Sequence, residues 1–296
     1  MFKFIDLFSG IGSFRIAGEN LGWKCVFSSE IDKNARETYF KNFGEYPFGD
    51  IRENKKHIPE FDILMAGFPC QPFSSMGLRQ GFQDTRGTLF FEIEDIIKTH
   101  APKAFILENV KGLLSHNKGQ TFKTILESLK DYYLSYKVLN SFDYGTIQKR
   151  ERIFIVGFKE NVEFEFPKPK ENKATLAEFL EESVHEKYTL SNKMYEGILR
   201  RAKKENGFKP SFVNKDSKSI RTITARYKAT GGKEILLEQE GKNPRNLSPR
   251  EVARLMSFPE AYILPKLDSY AYKQLGNSIP VYLSEAVCRQ VFKALS

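Results

Sequence analysis

Cysteine is scarce in this sequence: Cys25, Cys70 and Cys288 are the only three among 296 residues, widely spaced and odd in number. Such spacing argues against a disulfide framework and against a cysteine-rich zinc site, so no metal is expected. A reducing cytoplasm is the expected compartment, where a lone thiol stays available for chemistry. Long hydrophobic runs are missing too. No stretch approaches the ~20 apolar residues that cross a bilayer, and no membrane partner is expected. The opening MFKFIDLF runs into a strand-like segment with no small-residue cleavage site after it, unlike a signal peptide. Internal repeats and low-complexity tracts are absent.

What is present describes a globular chain with an uneven charge. Hydrophobic residues make up 41% of it, with 26 Phe, enough for one large core and a smaller second lobe. The net charge is +9, yet Lys187 to Arg250 alone hold 16 Lys/Arg against 6 Asp/Glu, so that stretch carries +10 and the remainder −1. Localised positive charge recruits phosphates through counterion release. It also fits a solvated basic face, and it does not separate DNA from RNA.

The first half alternates short apolar runs with amphipathic stretches. Strands are expected at 2–8, 24–28, 62–66, 104–107, 136–140 and 152–158, with helices at 13–21, 89–99 and 121–129. This alternation predicts an α/β fold with a doubly wound, mostly parallel sheet. Two prolines in Phe166-Pro167-Lys168-Pro169-Lys170 read as a linker. Beyond it the chain is basic and less periodic, with a turn at Gly231-Gly232. Ser248-Pro249-Arg250-Glu251 has the form of a capping box that opens a helix reaching about Ser257. The final segment, 281–295, is helical in pattern and is expected to rejoin the first domain. The expected division is 1–178 for catalysis and cofactor binding, 179–248 for target recognition, and 249–296 returning to the catalytic domain.

Phe8-Ser9-Gly10-Ile11-Gly12 lies between a predicted strand and a predicted helix, where glycines let the backbone approach a ligand. Glu30 follows Gly10 by twenty residues and can accept from ribose hydroxyls. Asp50 can accept from an exocyclic amine. A dinucleotide fingerprint would need a third glycine at 15, where Arg15 stands. An adenosyl ligand without a pyrophosphate escapes that objection, though many turns share a Gly-x-Gly.

Ala66-Gly67-Phe68-Pro69-Cys70-Gln71-Pro72-Phe73-Ser74 follows a predicted strand, which sets Cys70 at the carboxyl end of the sheet between two stiffening prolines. Residues 75–86, with Gly77 and Gly81, read as a loop able to close over a substrate. A single cysteine is more often a small buried hydrophobe, and here its position and flanks favour a nucleophile. Glu108-Asn109-Val110 ends another apolar strand on the same rim. Its carboxyl suits proton donation to a ring nitrogen, or a plain helix cap. Gln148-Lys149-Arg150-Glu151-Arg152 opens the last strand. Alternation places Arg150 and Arg152 on one face, where guanidinium groups can fix a carbonyl or a phosphate.

These segments together resemble the C5-cytosine-specific DNA methyltransferase family, especially the bacterial enzymes of restriction–modification systems. Asp6 to Gly12, Gly67 to Ser74, Arg86-Gly87-Thr88-Leu89-Phe90, Glu108-Asn109-Val110, Gln148 to Arg152, Leu247 to Glu251 and Gly276-Asn277-Ser278 follow the family's order. The resemblance implies S-adenosylmethionine as cofactor and S-adenosylhomocysteine as product. Phe8, Gly10, Gly12, Glu30, Ile31, Asp50, Ile51, Pro69, Leu89 and Asn277 would form its pocket. It implies that Cys70 adds to C6 of a flipped-out cytosine, that Glu108 contacts N3 and the exocyclic amine, and that Arg152 holds O2 with Arg150 in support.

In the same reading, Ser74 and Met76 would meet the DNA around the vacated base, although Met76 stands where a small polar residue is usual. Ser257 replaces the glycine usual after the capped helix. Within 219–227, Ser219 to Tyr227 looks like the recognition segment of relatives that modify sites with adjacent cytosines. Arg221, Thr224 and Arg226, with Lys228 just beyond, are its candidate DNA contacts. The expected partners are double-stranded DNA and a cognate endonuclease, with the enzyme a monomer. The rival readings are a tRNA cytosine-5 methyltransferase of the same fold, a nicotinamide-dependent oxidoreductase, and a catalytically silent DNA-binding protein.

Overall fold

The computed structural model describes residues 1–69, 89–205, 209–228 and 235–296. Cys70, Ser74, Met76, the 75–86 loop, the 86–88 part of the Arg-Gly-Thr-Leu-Phe segment and the Gly231-Gly232 turn lie outside the described residues. The backbone divides into two compact units. One holds 1–139, 151–168 and 284–296, the other 140–150 and 169–283.

The first unit begins β1 (Lys3–Leu7), α1 (Ser13–Glu19), β2 (Lys24–Ser29), α2 (Lys33–Phe43), α3 (Ile51–Asn54) and β3 (Ile63–Gly67). It continues with α4 (Leu89–His100), β4 (Ala104–Val110), α5 (Gln120–Ser128) and β5 (Tyr133–Asn140). After the short β6 (Gln148–Lys149), which groups with the other unit, β7 (Glu151–Phe158) returns to it. The six strands form one sheet in the order β2-β1-β3-β4-β7-β5. β1 pairs in parallel with both β2 and β3, β3 with β4 likewise, and β7 runs antiparallel to β4. The expected mostly parallel α/β sheet is what forms.

Burial explains the strand composition. Ile5, Leu7, Leu64, Ala66, Phe105, Leu107, Ile153 and Ile155 share one core cluster with Phe90, Ile93 and Ile97 of α4. Strands covered on both faces need near-continuous apolar runs, and β4 reads Ala-Phe-Ile-Leu for this reason. Helix ends are fixed locally: Asp32 caps α2 by accepting from the N–H groups of Asn34 and Ala35, and Gly44 ends it at φ 75°.

The second unit contains β6, α6 (Asn192–Lys204), β8 (Ser211–Val213), β9 (Ile220–Arg221), β10 (Ile235–Gln239), β11 (Lys242–Arg245), α7 (Pro249–Leu255) and α8 (Asp268–Asn277). Its sheets are small: β11-β10-β8, and β6 paired in parallel with β9. The capping box forms as the sequence predicts. Ser248 Oγ accepts from the Glu251 N–H at 3.1 Å, and Glu251 accepts from the Ser248 N–H at 2.7 Å. Glu251 also takes both Arg245 η-nitrogens at 2.7 Å, a bidentate pair that is fully buried on the Glu side.

Two expectations about organisation differ from the compact units. Residues 140–150 and 249–283 group with the basic lobe, and only 284–296 rejoin the first unit, through the C-terminal helix α9 (Val281–Leu295). The reason is packing. Tyr272 of α8 lies 5.0 Å from the Tyr227 ring and its hydroxyl donates to the Leu247 carbonyl. Within the first unit, Cys288 of α9 is buried with its thiol 3.6 Å from Met65 Sδ.

Ser257, where a glycine is usual, adopts φ 59°. Its hydroxyl is buried with no hydrogen-bond partner among the described residues. Ser257→Gly is therefore expected to stabilise the protein by about 0.5–1 kcal/mol through relief of left-handed strain. A thermal melt should show a rise of roughly 2 °C; a fall would mean that the hydroxyl is bonded.

Candidate active site

Strand register brings four chain ends to one rim of the first unit. Leu7 pairs with Ser29 and with Ala66, and Gly67 pairs with Glu108. The segments that follow, Phe8 to Gly12, Glu30 and Phe68-Pro69, therefore leave the sheet on the same carboxyl edge as Glu108 to Val110. Because β1 is flanked by β2 on one side and β3 on the other, the strand order reverses there. Open α/β sheets bind ligands at that point.

The turn after β1 is strained in a specific way: Phe8 (φ 55°), Gly10 (φ 55°) and Gly12 (φ 84°) are all left-handed. Phe8 bears a cost that glycine would not, and such strain concentrates at binding sites. The Gly10 N–H donates to Glu30 Oε2 at 2.9 Å and the Asp32 N–H to Oε1 at 2.7 Å. Burial raises the Glu30 carboxyl above its ordinary value, and these N–H groups oppose the rise. Asp50 caps α3, accepting from the Arg52 N–H and side-chain Nε at 3.0 Å, and this bonding lowers its pKa. Ile51 is buried, Ile31 is 68% exposed, Pro69 is exposed and Leu89 is half-buried at the start of α4. Arg15 is buried inside α1's surroundings, donating to Glu19, Tyr39 and Glu45.

The two glycines make different demands. A Cβ on Gly10 would meet nothing within 4 Å, whereas one on Gly12 would fall 2.4 Å from the Phe43 ring. Gly12→Ala is thus expected to destabilise the fold by roughly 2 kcal/mol or more through overpacking and positive-φ strain. Gly10→Ala should cost only about 1 kcal/mol, for positive-φ strain alone. Denaturant melts of both variants check this; equal effects on stability would refute it.

At the other end of the rim, Arg152 Nε lies 2.8 Å from Glu108 Oε1, with side chains only 13% and 10% exposed. Burial lowers the Arg152 pKa and the Glu108 carboxylate opposes that shift. Asn109, buried, donates to the Phe68 carbonyl at 2.9 Å and accepts from the Val110 N–H. It ties the end of β4 to the residue two positions before Cys70. Sequence reasoning quoted Asn109 without a role; its signal was a polar side chain inside an apolar strand end.

The alternation expected to align Arg150 with Arg152 does not apply: Arg150 falls between β6 and β7, which belong to different sheets, and its N–H turns back to the Gln148 carbonyl. Arg150 groups with the second unit, 1% exposed, and donates to the carbonyls of Ile223, Gly276 and Ser278. Asn277, exposed, ends α8 in that unit. Arg221, Thr224, Arg226 and Lys228 are exposed there while Ile223 and Tyr227 are buried, so the segment presents its polar side chains outward. Arg221 donates to the Lys209 carbonyl, and Lys228 Nζ lies 5.5 Å from the Tyr188 ring. Among the described residues no cluster of His, Cys, Asp and Glu could hold a metal, and no helix is long and apolar enough to cross a membrane.

Residues 2–293 match the C-5 cytosine-specific DNA methylase family. The chain is 51% identical to type II methyltransferase M.DsaV of Dactylococcopsis salina over 98% of its length and 85% of the relative's. It is 48% identical to type II methyltransferase M.NlaX of Neisseria lactamica, covering 100% of this chain and 98% of that one. In fold it resembles the solved Entamoeba histolytica methyltransferase EhMeth, with TM-score 0.82, 22% identity, and coverage of 100% and 99%. A rim carrying a buried carboxylate–guanidinium pair at one end and a glycine turn at the other, and a match over nearly the whole chain, lead to one conclusion: this protein belongs to the C-5 cytosine-specific DNA methylase family.

Proposed function

We propose that this enzyme methylates C5 of a flipped-out cytosine in a short duplex DNA sequence through a covalent adduct of Cys70, as the modification partner of a restriction endonuclease. The observation that carries this reading is the Glu108–Arg152 pair on the rim, with Asn109 bound to the Phe68 carbonyl just before Cys70.

The cradle suits S-adenosylmethionine. Gly10 leaves open space beside the turn, Glu30 keeps lone pairs beyond its bonds to backbone N–H groups for ribose hydroxyls, and Ile31 offers an exposed apolar flank. Phe8, Gly12, Asp50, Ile51, Pro69 and Leu89 complete the proposed set, with Asn277 contributed by α8. When bound, the cofactor supplies an electrophilic methyl group.

In the proposed chemistry the Cys70 thiolate adds to C6, and C5 becomes nucleophilic. Glu108 hydrogen-bonds N3 and the exocyclic amine, relieving charge as the adduct forms, and Arg152 donates to O2. C5 would form its bond to the transferred methyl group as that group's bond to the donor sulfur breaks; the C5 proton then passes to solvent, its electron pair re-forms the C5–C6 double bond, and Cys70 leaves as thiolate. A base inside a duplex cannot be attacked from above and below, so it must leave the stack at a cost of a few kcal/mol. Phosphate contacts from the basic lobe offset that cost.

Helix α6 supports this role for the lobe. Lys193, Arg200 and Lys204 are exposed and recur at helical spacing, opposite Ile198, which packs with Leu190 and Leu236. Lys193 lies in the first turn, which has no acidic residue and where the helix dipole disfavours a cation. A phosphate ligand accounts for such a placement better than helix stability does. The triple variant K193Q/R200Q/K204Q is expected to flatten the dependence of log affinity on log salt by about 2–3, at ~0.9 per lost phosphate contact. An unchanged slope in a filter-binding series would remove α6 from the interface.

Transfer of labelled methyl groups to duplex DNA and to tRNA tests the function directly. Duplex DNA is the expected acceptor; preferential labelling of tRNA would overturn the reading. A monomer in the cytoplasm, acting on host DNA, completes the proposal.

A further inference from the structure

We infer that Gln148 and Arg150 are positioning residues that hold the recognition segment 219–228, so this half of the Gln148 to Arg152 motif sets which sequence is methylated while Arg152 serves the chemistry. The inference rests on the function proposed above and deepens it.

The observations converge on one residue of the segment. The Ile223 N–H donates to Gln148 Oε1 at 2.8 Å, and Arg150 Nη1 donates to the Ile223 carbonyl at 3.0 Å. Both backbone groups of Ile223 are thus satisfied by side chains of the motif. Thr222 Oγ1 donates to the Lys149 carbonyl at 2.7 Å, and β6 pairs with β9, Gln148 opposite Ile220 and Lys149 opposite Arg221. Arg150 Nη2 reaches on to the carbonyls of Gly276 and Ser278, 2.9 and 2.7 Å away. Gly276 in turn meets the segment backbone directly: a Cβ there would lie 2.2 Å from the Thr224 carbonyl carbon.

Gln148 and Arg150 are 0% and 1% exposed. Buried polar groups are tolerated when their bonds are made, and a planar guanidinium can serve several carbonyls at once from a fixed geometry. The bonded partners are backbone atoms, so the clamp fixes the path of the segment without constraining which side chains it carries. Arg221, Thr224 and Arg226 stand on either side of the clamped residue and are exposed. A shift of ~1 Å in that backbone would misplace any side chain reading a base edge and so weaken discrimination between bases.

The test compares the parental enzyme with Arg150→Lys, Arg150→Met and Thr222→Val on plasmid DNA, with methylated cytosines mapped by sequencing and kcat and KM measured separately. Arg150→Lys is expected to lower the ratio of kcat/KM for the preferred site over sites differing by one base pair at least tenfold. Arg150→Met should lower it further, and the kcat of Thr222→Val at the preferred site should fall less than threefold. Thr222→Val removes one bond at a half-buried position and should relax the ratio about threefold; it decides the matter if the Arg150 variants do not fold. A uniform loss of activity with the ranking of sites unchanged would show a merely structural role and overturn the inference alone. Absence of any methylated cytosine from the parental enzyme would overturn the proposed function, and this inference with it.

Discussion

Cys70→Ala is expected to abolish methyl transfer, by about 10⁴-fold or more, while leaving S-adenosylmethionine affinity within threefold of the parental value. The size follows from removing the group proposed to make the covalent bond rather than one that assists it. Neither remaining thiol can substitute. Burial pushes Cys25 up to about 12, with the Asp6 carboxyl adding to the shift, so its thiolate is a negligible fraction at neutral pH. Cys288 is fully buried and its pKa is raised further by the same desolvation. Of the proposed cofactor set only Pro69 lies in the cysteine segment, and the substitution leaves it in place, so binding should be separable from chemistry. Duplex DNA carrying 5-fluorocytosine should trap the parental enzyme as a denaturant-stable complex, and the variant should give none. Measurable turnover by Cys70→Ala would end the assignment.

Where an interaction is local in sequence, the chain announces it. The capping box at Ser248 and Glu251, the helix Val281–Leu295 and the apolar runs of β1, β3 and β4 follow from spacing within a few residues. Glu30 was also legible, since a strand of fixed length delivers it to the rim near Gly10. Arg150 was not. Alternation would align it with Arg152 in an unbroken strand, but the break at 150 depends on carbonyls from residues 223, 276 and 278, far along the chain. The grouping of 249–283 with the basic lobe escaped notice for a similar reason. It rests on aromatic contacts such as Tyr227 with Tyr272, and no periodicity in either segment signals its partner. Asp50 shows a third kind of gap. Its position was readable, but its engagement by the neighbouring Arg52 side chain was not, since either residue could have pointed elsewhere.

Glu108 and Arg152 should separate stability from activity sharply. Each neutralises the other in a nearly water-free setting, Nε to Oε1 at 2.8 Å. Breaking a buried pair from one side leaves an uncompensated charge, which typically costs about 3–5 kcal/mol. Glu108→Ala should therefore lower both stability and kcat, the latter by about 10²–10⁴-fold as expected for loss of a positioned proton-handling group. Arg152→Ala should do the same, stranding the carboxylate. The double variant removes both charges, and stability should return to within about 1–2 kcal/mol of the parental protein because the penalty of each single variant disappears. Activity should not return if the proposed roles hold, since neither the ring nitrogen nor the O2 carbonyl of the cytosine would then have its partner. Glu108→Gln keeps the shape and one acceptor oxygen for Arg152 but not the charge, so it should cost less stability than Glu108→Ala while still lowering kcat. Urea melts paired with single-turnover methylation across these four variants give the comparison. If the double variant recovered turnover along with stability, the pair would be holding β4 to β7 and nothing more.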